Sequence, residues 1–350
     1  MSASAGDQPG MSPGGGPRVS IVIPAYQAVR TLGGTITGAL TQTYPDVEVV
    51  VVDDGSTDGT AALARAYGDA IVLVSRTNGG LSAARNTGAR AATGELIVFC
   101  DADDILLPPA VSAMVMAWQQ AGGGRRAVTC NAYPLTGEGV NPRRALALRA
   151  FPPPAQQRVA LLRMNIALAI CLVPRDLWTE LDGFDETLPM VEDWDFWLRA
   201  VYGGAEIVYQ RAPLALWRWQ AGSLSSRRDA MYHWEQEVFR RFAERMAARP
   251  TSPLTEQEAE ILQERLTHGS PEQLRHEADE ALRAGDLATA RRLYRATLRR
   301  LPQDRKLFLR TWSMTVAPPT GHLWRRRITA IEAAMTRVDA SVPTGSEGGR

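Results

Sequence analysis

The first strongly patterned stretch is Val19-Ser-Ile-Val-Ile23, a short β-branched run closed by Pro24. Continuous apolar runs of this length mark strands buried on both faces. Residues 31–41 read as a helix. Residues 47–52 form a second buried strand, ended by Asp53-Asp54-Gly55-Ser56. Ser56 or Thr57 can cap the next helix, over 58–67. Residues 71–74 are a third strand, and 82–92 a helix of small residues. A fourth strand over 95–100 ends at Asp101-Ala102-Asp103-Asp104, and Pro108-Pro109 opens another helix at its first turn. Strands alternating with helices predict an α/β domain with a largely parallel sheet. Polar and acidic residues gather just past strands one, two and four, where open α/β sheets bind ligands.

Beyond Gly124 the pattern loosens. Residues 127–131, 167–173 and 206–209 read as strands and 192–202 as a helix. Helical sequence takes over from Arg228. Residues 272–301 predict a helical hairpin turning at Ala284-Gly285-Asp286. The stretch 281–294, with Pro302 behind it, resembles one tetratricopeptide-type helix pair. A stacked array needs about three copies, so a helical appendage is expected. The expected organisation is a disordered tail over 1–17, the α/β domain over 18–228, a helical region over 229–339 and a disordered tail over 340–350. The Gly-, Ser- and Pro-rich start has neither the basic opening nor the apolar core of a signal peptide. No apolar run reaches the ~18 residues of a membrane span. A cytoplasmic location follows as an expectation.

Composition narrows the function class. Of 350 residues 45% are hydrophobic and 22% charged, the balance of an ordinary folded domain. Lys and Arg total 39 against 38 Asp and Glu, for a net charge of +1. Nucleic-acid binding driven by a basic surface is therefore not expected. Cys100, Cys130 and Cys171 are too few and too far apart for a disulfide framework or a zinc site. The histidines at 233, 268, 276 and 322 are read as surface or packing residues. Lys306 is the only lysine, which we attribute to codon bias rather than chemistry. Trp324-Arg-Arg-Arg327 falls short of the roughly 4–8 basic residues of a lipid-binding cluster. A solvated helix start is the reading there, with a peripheral membrane contact left open.

Three acidic constellations carry candidate chemistry. Asp101 and Asp103, two residues apart at a strand end, can face one small space, and hard divalent cations prefer such oxygens. A capped turn explains the same pair. Asp53 and Asp54 crowd one strand end, where an acid can accept from a base or a ribose. Glu192-Asp193-Trp194-Asp195 places acids beside aromatic rings at a helix start. A carboxyl near apolar rings can have a raised pKa and act as a general base, although acids also suit helix N-termini for the dipole alone.

In order along the chain stand Val19-Ser-Ile-Val-Ile-Pro-Ala-Tyr26, Val51-Val-Asp-Asp-Gly-Ser-Thr-Asp58, Asn78-Gly-Gly-Leu-Ser-Ala-Ala-Arg-Asn-Thr-Gly88, Phe99-Cys-Asp-Ala-Asp-Asp104, Gly183-Phe-Asp-Glu186 and Glu192-Asp-Trp-Asp195. Together they resemble the family 2 glycosyltransferases over roughly residues 18–226. The resemblance implies a GT-A, Rossmann-like nucleotide-diphospho-sugar transferase domain. It implies an inverting transfer from a nucleoside-diphosphate sugar, by default a UDP-sugar, to an acceptor hydroxyl. It places Pro24, Tyr26 and Asp54 at the nucleotide base, with Asp53 ordering that turn. It places Arg85 at the nucleotide or diphosphate, with a helix-to-sheet ion pair as the alternative. Asp101 would face ribose or metal, Asp103 would ligate Mn²⁺ or Mg²⁺, and Asp193 would be the catalytic base.

One position departs from the pattern. Gln220 stands where many relatives carry a histidine that helps hold metal or diphosphate, and Arg218 can compensate by meeting a phosphate. Trp217 and Trp219, with Glu192, are candidates for the acceptor side; core packing is the alternative for the two tryptophans. The acceptor side is expected within 131–165, which has no legible motif. The expected acceptor is a glycan, lipid-linked or other hydroxyl in envelope or exopolysaccharide synthesis. Two competing readings are a catalytically degenerate scaffold and, ranked lower, a sugar nucleotidyltransferase. The latter class usually shows a Gly-rich basic loop after strand one, which Pro24-Ala-Tyr-Gln27 is not.

Overall fold

A computed structural model describes residues 15–142, 150–218, 227–248, 253–300, 307–308 and 311–312. The chain divides into two compact units. The first runs to residue 219 and takes in 244–254; the second comprises 220–243 and the chain from 255 onward.

The first unit is built on one twisted sheet. Strands β1 (Val19–Ala25), β2 (Val47–Asp53), β3 (Val72–Ser75) and β4 (Leu96–Phe99) lie parallel in the order β3-β2-β1-β4. Val19, Ile21 and Ile23 share a core with Leu32, Ile36 and Ala39 of helix α1 (Leu32–Leu40). The opposite face, with Val22 and Val52, meets helix α3 (Leu81–Ala91), which follows the short α2 (Thr60–Arg65). A β-carbon at Gly88 of α3 would collide with the Val22 side chain, so glycine lets this helix lie close against the sheet. Burial on both faces is why these strands read as unbroken Val and Ile runs, each such side chain stabilising by roughly 1.5–3 kcal/mol.

The far half of the sheet is mixed. β5 (Ile105–Leu106), α4 (Ala110–Gln120), β6 (Arg126–Thr136), β7 (Gly139–Val140), α5 (Pro154–Arg163), β8 (Cys171–Pro174), α6 (Arg175–Glu180), α7 (Glu192–Tyr202) and β9 (Glu206–Arg218) follow in sequence. β8 lies antiparallel between β4 and β6, and β9 runs parallel to β6 with β5 antiparallel on its far side. The largely parallel sheet expected from the sequence is thus confined to β1–β4 and the β6–β9 pair. β6 and β9 outrun the predicted strands because register shifts at Cys130–Ala132 place Pro213 at an irregularity, where proline is tolerated. The predicted 167–173 strand contracts to β8. Upstream, Leu168 N–H donates to Thr129 Oγ1 at 3.1 Å instead of entering the ladder. At α2, Asp58 Oδ1 accepts from Thr60 N–H at 2.9 Å, and Ser56 Oγ accepts from Gln27 N–H, so neither Ser56 nor Thr57 caps the helix.

The second unit is helical. It holds most of α8 (Arg228–Ala248), then α9 (Glu256–His268), α10 (Pro271–Ala284) and α11 (Leu287–Arg300). A reciprocal Thr255–Glu258 capping box starts α9, and Ser270 with Pro271 starts α10. Gly285, at φ 86°, makes the left-handed turn into α11. Ala278, Leu282, Ala290, Tyr294 and Leu307 form the core of this hairpin. Among the described residues no helix is long and apolar enough to cross a membrane. The tails, Lys306, His322 and Trp324–Arg327 lie outside the described residues.

Candidate active site

The carboxyl end of β1 turns through Tyr26, 53% exposed, and Gln27, which adopts a left-handed φ of 51°. Gln27 ties this turn to the next loop: its Oε1 accepts from Thr57 and Asp58 N–H, and its Nε2 donates to Thr57 Oγ1. Pro24 is buried within β1 opposite Val52. Asp53 Oδ1 accepts from Ser56 N–H at 3.2 Å and orders its own turn. Asp54 is only 2% exposed. It accepts from Gly79 N–H at 3.1 Å and Gly80 N–H at 2.8 Å, with Arg76 Nε at 3.3 Å. Its carboxylate clamps the loop that starts α3, whereas the sequence reading set it against a nucleotide base. Gly55, at φ 75°, is required there, since a β-carbon would sit 2.8 Å from Asn78 N.

Arg85 joins two acidic motifs. It is 2% exposed; Nη2 meets Asp101 Oδ1 at 2.6 Å and Nη1 meets Glu192 Oε1. The guanidinium lies 5.5 Å over the Phe184 ring, and its buried Nε has no hydrogen-bond partner among the described residues. Burial opposes its charge, but the Asp101 and Glu192 carboxylates outweigh burial and hold its proton more tightly than usual. This is the ion-pair alternative named above, not an arginine open to phosphate. The neighbouring Asn86 donates through Nδ2 to Phe184 O at 2.8 Å and Glu186 Oε1 at 2.9 Å. Its Oδ1 accepts from Phe184 N–H. Helix α3 therefore fixes both the Asp101 strand end and the loop into α7.

Asp101, Asp103 and Asp104 form a tight acidic turn. Arg218, at the end of β9, latches it: Arg218 N–H donates to Asp104 Oδ1 at 2.9 Å and Nε to Asp103 O at 3.0 Å. Asp104 is 3% exposed; burial, then repulsion from Asp101 and Asp103, drives its carboxyl well above the ordinary range. Asp101 uses Oδ1 for Arg85, its Oδ2 accepts no hydrogen bond among the described residues, and its side chain is 29% exposed. Hard oxygens crowded by like charge, with one carboxylate oxygen open, fit a divalent cation.

The third acidic motif divides its tasks. Val191, at φ 63°, is a left-handed β-branched residue, a costly conformation. Its carbonyl accepts from Trp194 and Asp195 N–H and turns the chain into α7. Glu192 is 6% exposed and goes to Arg85. Asp195 is fully buried between Arg199 Nε at 2.8 Å and Arg245 Nη1 at 2.5 Å. Of the three acids, Asp193 is the one partly open. Its Oδ2 accepts from Asn165 Nδ2 at 3.0 Å and its Oδ1 from Trp194 N–H at 2.7 Å. Burial and then Glu192 push the Asp193 carboxyl up to about 7, against the pull of Arg85, Asn165 and Trp194.

Trp217 packs against the sheet core, matching its packing alternative, while Trp219 and Gln220 lie outside the described residues. Sequence reasoning missed Asn165, a lone asparagine in a stretch without motifs. It also passed over Asn86, although that residue stands inside the quoted Ala-Ala-Arg-Asn. In the second unit His276 Nε2 lies 3.2 Å from Asp229 Oδ1 and 3.6 Å from Glu280 Oε1. The carboxylate on its own helix, four residues on, was the overlooked signal.

Residues 20–165 match the family model described as Glycosyl transferase family 2. That segment is a family 2 glycosyltransferase domain. An uncharacterised glycosyltransferase of Rickettsia bellii is 32% identical over 207 residues, covering 56% of this chain and 29% of that protein. The chondroitin synthase of Pasteurella multocida is 32% identical over 186 residues, covering 52% of this chain and 19% of that protein. The chain thus spans less than a third of the length of either relative. Among solved structures, S. aureus TarS 1–349 in complex with UDP-GlcNAc superposes with a TM-score of 0.57 at 21% identity, covering 79% of this chain and 83% of that one. The mannosyltransferase PcManGT from Pyrobaculum calidifontis, in complex with GDP-Man and Mn²⁺, gives 0.54 at 20% identity, covering 92% and 87%. At these identities the likeness shows the fold, which is GT-A. The chain therefore carries its three acidic motifs at the carboxyl edge of the sheet and at the start of α7.

Proposed function

We propose that the chain moves a sugar from a nucleoside-diphosphate donor, a UDP-sugar by default, to an acceptor hydroxyl with inversion at the anomeric carbon. The observation that carries this reading is Asp193, a partly open carboxyl with a proton affinity near neutrality. It is tied through Glu192 and Arg85 to the Asp101–Asp103 turn. A base must bind a proton readily yet be ionised at working pH, and a value near 7 meets both demands.

Asp193 takes the proton of the acceptor hydroxyl as its oxygen attacks the anomeric carbon. The bond to the diphosphate oxygen breaks on the opposite face, and its electron pair leaves with the nucleoside diphosphate. One displacement inverts the centre, with no covalent glycosyl-enzyme. Tyr26 stacks on the base beside Pro24, and Asp53 and Asp54 hold the loops around it. Arg218 meets the diphosphate. Asp101 and Asp103 would hold Mn²⁺ or Mg²⁺, whose chemistry when bound is to offset charge on the departing diphosphate. Arg85 and Glu192 set the distance between the metal side and the base. The nucleotide complexes of TarS and PcManGT support a nucleotide-sugar donor, and the Mn²⁺ in PcManGT supports a metal. The chondroitin synthase relative supports a glycan acceptor and a part in polysaccharide assembly. The same reading puts the activity in the cytoplasm.

Asp193→Asn tests the reading. Wild type should melt higher with one of UDP, GDP or dTDP in the presence of Mn²⁺, by mass action. The variant should keep that rise yet lose donor turnover by about 100-fold or more. Wild-type turnover in the variant removes Asp193 as the base. No rise with any nucleotide in folded wild type points instead to a degenerate scaffold.

A further inference from the structure

Asn165 lies in the loop between α5 and β8, and both ends of its amide are used. Its Oδ1 accepts from Ala167 N–H at 3.3 Å, and its Nδ2 donates to Asp193 Oδ2 at 3.0 Å. The reversed amide would set a carbonyl against the carboxylate and an NH₂ against an N–H, so the network admits one orientation. The other Asp193 oxygen, Oδ1, accepts from Trp194 N–H at 2.7 Å. Donors from two different elements thus hold both oxygens and fix the carboxylate plane. The loop is itself held. Trp194 Nε1 donates to Leu161 O at 2.8 Å, and Leu168 N–H to Thr129 Oγ1 at 3.1 Å.

The charged and titratable groups around Asp193 are Glu192 on its own helix, Arg85 from α3 and the buried Cys171 thiol from β8. Arg85 is already engaged by Asp101 and Glu192. Asn165 supplies the one side-chain hydrogen bond that Asp193 receives among the described residues.

We propose that Asn165 is a positioning residue for Asp193, holding its carboxylate ionised and oriented toward the acceptor hydroxyl. The inference rests on reading Asp193 as the base. A donor to the charged form favours that form. Without it, burial and Glu192 raise the proton affinity further and the carboxylate can turn about its Cβ–Cγ bond.

The test needs no substrate. Asn165→Leu keeps the branched shape and removes the donor. Melting temperatures are measured from pH 4 to 9 for wild type, N165L, D193N and the double variant. In each background, the melting difference between the protein with Asp193 and its D193N counterpart titrates with Asp193. The pH at which that difference levels off on the alkaline side should be about 7 in the wild-type background. It should rise by about one pH unit in the N165L background. UDP with Mn²⁺ should raise the melting temperature of N165L as it does that of wild type. Should N165L fail to fold, Asn165→Asp replaces it; its added negative charge should move that alkaline limit further in the same direction. An unmoved alkaline limit overturns the inference. When D193N has lost turnover, that result overturns the inference alone; wild-type turnover in D193N overturns the base assignment and the inference together.

Discussion

At position 193 the carboxyl sits among groups that pull its proton affinity in opposite directions. Burial and Glu192 raise it, Arg85, Asn165 and Trp194 lower it, and the outcome is about 7. The ordinary aspartate value in an unfolded chain is about 3.9. Between these two values the folded protein binds a proton that the unfolded chain does not. Stability from this group is therefore fully present below pH ~4 and is lost as pH rises through about 7. Asp193→Asn removes the titration. The variant should match wild type near pH 4 and exceed it at pH 8 by on the order of 2 kcal/mol, after allowance for partial exposure. Thermal melts at the two pH values check this, and an equal or lower melting temperature at pH 8 counts against it. Turnover moves the other way, rising as pH increases through about 7, because the base must be ionised. A base that destabilises its own fold at working pH is the expected trade between activity and stability.

On the scale of the element, α3 is the part that makes one site out of separate motifs. Arg85 reaches Asp101 and Glu192, Asn86 holds the loop at Phe184, and Ser82 Oγ donates to Leu188 O at 3.2 Å. Lysine carries one point charge and cannot fork to two carboxylates at fixed geometry. Arg85→Lys should leave one of two largely buried acids without its partner and destabilise the protein by about 3 kcal/mol. Turnover should fall with it, while the UDP-induced rise in melting temperature weakens; chemical denaturation and the nucleotide melt measure both. This element also marks what is legible in a sequence. The elements that rest on local period, β1, β2, α3 and α7, stand within a residue or two of expectation, and the acids at strand ends were visible because strand and turn are contiguous. The partners were not. Arg85 and Glu192 are 107 residues apart, and Asn165 and Asp193 are 28 apart. No spacing rule reaches across a fold to pair them. The mixed half of the sheet was hidden for the same reason, since the direction of β8 is set by β4 and β6 rather than by its own four residues.

Across the whole molecule, the chain leaves the first unit at residue 219 and returns to it over 244–254. The return is fastened by charge. Arg245, in the last turns of α8, meets the fully buried Asp195 at 2.5 Å and Asp185 at 3.6 Å, and Arg158 Nη2 donates to Pro253 O at 3.0 Å. Asp195 stands two residues from Asp193 on α7, so this anchor loads the helix that carries the proposed base. Arg245→Ala leaves Asp195 buried, with Arg199 as its remaining ion-pair partner among the described residues. Arg245 is 37% exposed, so water replaces part of what is lost on the arginine side. The expected loss is therefore about 1–2 kcal/mol, below the roughly 3–5 kcal/mol of a fully buried pair. For a domain of this size that is a fall of several degrees in melting temperature. Asp195→Asn with R245A should recover part of the loss, because the uncompensated charge is gone, and the two single variants should not add. Strict additivity would mean that Arg245 and Asp195 act independently and that the returning segment is held by packing alone. Sub-additive loss, with turnover reduced in R245A at unchanged UDP-induced melting shift, would place the anchor of α8 in the support of the base and outside the nucleotide site.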